Sequence, residues 1–75
     1  MPDKITESQY DDLVFAMNTS PKEFIELMEE YTGITAKQYT AYQFFDSADN
    51  YIGDYGCSSL SEILEDAGIE VVADD

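Results

Sequence analysis

The chain has 75 residues, with seventeen Asp and Glu against three Lys, no Arg and no His, for a formal net charge of -14. That length makes one domain, residues 1–75, with a thin core, because so short a chain buries only about 60% of its unfolded surface. The charge repels nucleic acid and anionic membranes and attracts basic surfaces, while 44% hydrophobic and 13% aromatic residues in periodic order exclude a disordered acidic tail.

The first predicted helix begins at Thr6, an N-cap with Gln9 at N3, so a capping box is expected, and Ile5 stands where it can staple onto Tyr10. Tyr10, Leu13, Val14 and Met17 then recur at i, i+3, i+4 and i+7 as the apolar stripe, and Asp11, Asp12 and Phe15 fall outside it. The second helix starts with Ser20 as cap, Pro21 at N1 and Glu23 at N3 of another capping box. Phe24, Leu27, Met28 and Tyr31 form its stripe, and Gly33 fits the left-handed residue that stops it. Asn18-Thr19 leaves so short a connection that the two helices read as a hairpin.

The aromatic stretch from Tyr39 to Phe45 predicts a strand, Asp46 to Asn50 a turn, and Tyr51 to Tyr55 a second strand. A helix from Thr35 with Gln38 at N3 is the competing reading for residues 35–45. A third helix follows, capped by Ser59 with Glu62 at N3, turning Leu60, Ile63, Leu64 and Ala67 to the core and ending at Gly68. Ile69 to Val72 reads as a last short strand. The expected fold is α+β in the order ααββαβ: a helical hairpin, a small two- to three-stranded antiparallel sheet and one further helix. The last three elements suggest a split βαβ unit with its first strand between the other two.

Catalytic chemistry finds little to stand on. There is no His for general acid–base work and no Arg to clamp an anion. Cys57 has no His to activate it, and acidic surroundings oppose its thiolate. The acidic segment from Asp46 to Glu62 fits no EF-hand register: from Asp46 the twelfth residue is Cys57, and from Asp49 it is Leu60. Asp and Asn there suit a polar turn. The sequence therefore predicts no enzyme, no cofactor and no metal site. With a single Cys, no run of about 20 apolar residues and no signal-peptide pattern at its start, the expectation is a soluble cytoplasmic protein.

The carboxylates remain as a surface. Glu23, Glu26, Glu29 and Glu30 lie opposite the apolar stripe of the second helix. An ordinary solvated face mixes its signs, yet Glu26 and Glu30 repel at i, i+4 where a Lys would stabilise. Four carboxylates in eight helical residues give one charge per ~3 Å of axis, close to the ~3.4 Å phosphate spacing of one DNA strand. Asp11, Asp12, Asp46, Asp49, Asp54, Glu62, Glu65 and Asp66 extend the pattern. Phe15 beside Asp11 and Asp12 suits an interface that takes Lys and Arg through ion pairs and cation–π contacts.

On these features, carried by "KEFIELMEEY", "QYDDLVF" and "SEILEDAG", the chain resembles the small acidic phage- or plasmid-encoded inhibitors that mimic DNA, of anti-CRISPR or anti-restriction type. The resemblance is one of size, composition and charge spacing; those inhibitors share no common fold or motif, so it transfers no site residue. It implies a stoichiometric inhibitor of a basic nucleic-acid-binding protein, a Cas effector or a restriction enzyme, with no direct contact to nucleic acid or membrane. The binding face expected from the residues is Glu23, Glu26, Glu29 and Glu30 with Asp11, Asp12 and Phe15. Two rival expectations are a regulatory interaction module, such as an antitoxin or transcription-factor partner, and an ordinary small protein of a halophile.

Overall fold

The computed structural model describes residues 3–38, 42–55 and 59–74. Its elements run β1 (Lys4–Thr6), α1 (Glu7–Thr19), α2 (Pro21–Thr32), β2 (Thr35–Gln38), β3 (Tyr42–Phe45), β4 (Tyr51–Asp54), α3 (Leu60–Asp66) and β5 (Glu70–Val72). The domain is α+β; its described residues form three helices, an antiparallel sheet ordered β2-β3-β4 and a separate parallel pair β1-β5. Cys57 and the Tyr39–Ala41 start of the predicted first strand lie outside the described residues.

Local chemistry sets the helix ends. Thr6 and Gln9 complete the predicted capping box of α1: the Gln9 N–H donates to Thr6 Oγ1 at 3.2 Å, and the Thr6 N–H donates to Gln9 Oε1 at 2.9 Å. Ser20 is at once the C-cap of α1 and the N-cap of α2. Its N–H donates to the Ala16 carbonyl at 2.8 Å, and its Oγ accepts the Glu23 N–H at 3.4 Å. The second capping box is therefore only half formed, because the donor that the Glu23 side chain would have accepted already closes α1. Gly33 ends α2 with φ of 78°, as expected. At the end of α3 the Gly68 N–H donates to the Glu65 carbonyl and the Ile69 N–H to the Leu64 carbonyl. Gly68 holds φ of 75°, which completes a Schellman cap and turns Ile69 into the core.

The hydrophobic core joins the helices to both sheets. Leu13 and Ala16 of α1, Phe24 and Met28 of α2, Phe44 of β3, and Leu60, Ile63 and Leu64 of α3 are all buried. The α1 stripe is thus centred on Leu13 and Ala16, with Tyr10, Val14 and Met17 half-buried at its edges. Leu27 and Tyr31 are likewise half-buried on α2. Phe24 meets Phe44 edge-on, with ring centroids 5.5 Å apart, and lies 5.6 Å from Tyr55. The Tyr55 hydroxyl donates to the Met17 carbonyl at 2.7 Å, which ties the end of the sheet to an otherwise unsatisfied carbonyl near the end of α1.

One alternative is decided and two expectations change. Residues 35–38 and 42–45 are two paired strands, so the helix from Thr35 does not form; Thr35 faces Phe45 and Gln38 faces Tyr42 across an antiparallel ladder. The strand β3 is central, as expected of the first strand of the split unit, but its second neighbour is β2. The last strand instead runs parallel to β1, with Ile5 opposite Val71. Ile5 is consequently a buried strand residue, 2% exposed. The three residues of β1 run directly into the capping signal of α1 and carry too little alternation to be read as a strand there; only the partner β5 makes them one.

Candidate partner-binding face

The α1–α2 hairpin presents its acids on the side away from the core. On α1, the helical period that buries Leu13 and Ala16 exposes Asp11, Asp12 and Phe15, with both carboxylates within one turn of the ring. Phe15 is 70% exposed and so does not pack beneath a neighbouring element. On α2, burial of Phe24 and Met28 leaves Glu23, Glu26, Glu29 and Glu30 exposed.

The helices are joined at Tyr31, whose hydroxyl donates to Asp12 Oδ2 at 3.0 Å. That hydrogen bond raises the Tyr31 phenol above its ordinary range, with burial and then the charges of Asp12 and Glu30 acting in the same direction. Asp12 of α1 and Glu30 of α2 are thereby brought to the same hydroxyl. Helical periodicity assigns Tyr31 to the apolar stripe alone; the available signal was a phenol at the edge of a stripe, whose hydroxyl needs a partner.

Counter-charge is sparse. Among the described residues the one ion pair is Lys37 Nζ to Asp49 Oδ1, at 3.6 Å, with Lys37 also 4.6 Å from the centre of the Phe45 ring. It lies on the sheet; α1 has no basic residue, and Lys22, exposed in the first turn of α2, forms no ion pair with the acids around it. None of the three helices has a basic residue in its last turn. Glu29 and Glu30 instead occupy that turn of α2, and Glu65 and Asp66 that of α3. A carboxylate there faces the negative end of the helix dipole, an arrangement that costs roughly 0.3–1 kcal/mol per charge at low salt.

The remaining acids divide by role. Asp46 and Asp49, expected to extend the charged pattern, build the β3–β4 turn. Asp46 Oδ1 accepts the N–H groups of Ala48 and Asn50, both at 2.9 Å. The Asn50 backbone bond, and after it that of Ala48 and the Asn50 side chain, hold the Asp46 carboxyl below its usual range. Asp49 takes the left-handed position with φ of 63°, so the polar-turn reading of this segment holds. Asp74 caps α1 from a distance in sequence: its oxygens accept the Ser8 hydroxyl at 2.9 Å and the Ser8 N–H at 3.2 Å. Those bonds, hydroxyl first, lower its carboxyl. Asp54 is half-buried, with Oδ1 buried and without a hydrogen-bond partner. Glu62, Glu65 and Asp66 are exposed on α3.

No helix among the described residues is long and apolar enough to cross a membrane. No protein-family model, curated protein or solved structure matches the chain.

Proposed function

We propose that this protein is a stoichiometric inhibitor that presents nucleic-acid-like charge to the DNA- or RNA-binding surface of a defence nuclease, an anti-CRISPR or anti-restriction function. The observation that carries the reading is the α1–α2 face. Glu23, Glu26, Glu29, Glu30, Asp11 and Asp12 are exposed there against a single Lys22 that pairs with none of them, two of them at the unfavourable end of α2, and α1 adds a Phe15 ring that no element covers. Charge kept where it opposes the helix dipole, on a hairpin that also exposes an aromatic, is expected of a surface that meets a basic partner. Lys and Arg of the partner's nucleic-acid channel would pair with the carboxylates and stack on Phe15.

The test is capture of targets from host lysate on the immobilised protein, with and without excess duplex DNA, followed by affinity measured across salt. A nuclease displaced by DNA, with affinity falling steeply as salt rises, is the expected result. A target that binds the protein and DNA together, with affinity indifferent to salt, would overturn the mimic reading and favour a regulatory interaction module.

A further inference from the structure

On another part of the surface, β5 is an open strand edge. The Glu70 N–H donates to the Asp3 carbonyl at 3.0 Å, and the register places Lys4, Ile5 and Thr6 opposite Glu70, Val71 and Val72. In such a parallel ladder Glu70 and Val72 turn their backbone groups to β1, so the N–H and C=O of Val71 point outward, unpaired. The Val71 side chain is 38% exposed and borders a shallow groove of about 370 Å³. Leu64 and Ile69, both buried, and Tyr10 give the groove its apolar wall. Tyr10 is held there by its hydroxyl, 3.0 Å from Ser61 Oγ, across the gap between α1 and α3. The charged residues of the lining are Glu65 and Glu70, both exposed; Lys4, opposite Glu70 in the ladder, lies outside the lining and forms no ion pair with it.

We infer that this groove takes an extended, cationic segment of a protein partner, which adds to β5 as a further strand. The outward N–H and C=O of Val71 require a backbone as their complement, the apolar wall requires alternate apolar side chains, and Glu65 and Glu70 require Lys or Arg between them. A second copy of this chain answers the charge requirement poorly, because it brings another -14 to the same place. The site shares no residue with the α1–α2 face and does not depend on the inhibitor reading.

The probe is a fluorescein-labelled peptide of alternating Val and Lys with blocked termini, titrated into the intact protein by anisotropy while backbone amide shifts are recorded. Binding with shifts at Tyr10, Gly68 and Val71 is expected. Val71→Pro removes the outward N–H and trades the valine side chain for the proline ring, with the bonds of Glu70 and Val72 to β1 left in place, as an edge strand tolerates, and is expected to weaken binding about tenfold. The double variant Glu65→Gln/Glu70→Gln is expected to weaken it severalfold and to flatten its salt dependence. The same peptide N-methylated at alternate residues, used with the unmodified protein, is expected not to bind; this arm stands whether or not Val71→Pro folds. Absence of binding, equal binding of the N-methylated peptide, shifts confined to residues 23–30, or a concentration-dependent dimer that shifts the same amides without peptide would each overturn the proposal.

Discussion

Thr32 shows how much one side chain decides in a core this thin. It is fully buried at the end of α2; its hydroxyl donates to the Met28 carbonyl and accepts the Ile34 N–H at 3.2 Å. Thr32→Val keeps the shape and strands the Ile34 N–H without a partner, an expected cost of about 1–3 kcal/mol in chemical denaturation. Phe15 is the opposite case. At 70% exposure it contributes little to the fold, so Phe15→Ala should move stability by no more than ~0.5 kcal/mol. If Phe15 anchors a partner, the same change should cost about 2 kcal/mol or more of target affinity by titration calorimetry. Unchanged affinity would remove the ring from the binding face.

At the scale of the element, α2 separates what the fold needs from what a partner needs. Its buried side is held by Phe24, Met28 and Thr32, and its exposed side carries Glu23, Glu26, Glu29 and Glu30. Changing Glu26, Glu29 and Glu30 to Gln keeps length and helix propensity while removing mutual repulsion and the clash with the helix dipole. The triple variant should melt at or above the parent temperature and lose target binding, because neutral amides do not replace carboxylates opposite Lys and Arg. Met28→Ala is the structural control; Met28 is fully buried, and the cavity should cost about 2–5 kcal/mol. A triple variant that inhibits as well as the parent would make α2 a solvated face and leave Asp11, Asp12 and Phe15 to carry the interaction.

For the whole molecule, net charge governs how stability responds to conditions. A charge of -14 with sparse pairing makes the folded state repel itself, so added salt should raise the melting temperature. Indifference to salt would mean the charges are balanced within the fold. Acid acts through Asp46 and Asp74, whose carboxyls sit below their usual range because hydrogen bonds favour the charged forms. Depressed values mean that the folded state binds these protons more weakly than the unfolded chain. Their stabilisation is therefore present above about pH 4, the ordinary carboxylate value, and is lost as pH falls through the lowered ones. Tyr31 has the reverse sign: its raised phenol stabilises below about pH 10 and ceases to do so as pH rises through the folded value. Melts of the parent and of Asp74→Asn in mild and strong acid, at fixed high salt, should converge in strong acid. A difference that persists there would remove the Asp74 charge as its cause.

The sequence by itself determined the elements whose information is local. Thr6 with Gln9, Ser20 with Pro21, Gly33, and Ser59 with Gly68 each mark a helix end within a few residues, and all three helices lie where those signals put them. The exposed acids of α2 were legible for the same reason, since burying Phe24 and Met28 commits the opposite side to solvent. The split of the aromatic region into β2 and β3 depended on a ladder between residues as far apart as Thr35 and Phe45, against comparable helical preference in the Ala and Gln of that stretch. The last strand was legible in Ile69 to Val72, but its pairing with β1 joins two segments far apart in the chain, and β1 has no meaning without it. Only the tertiary structure could pair Asp49 with Lys37 and Asp74 with Ser8, link Asp12 to Tyr31, and leave the edge at Val71 open. Those outcomes depend on which distant groups meet, and charge or periodicity along the chain carries no record of such meetings.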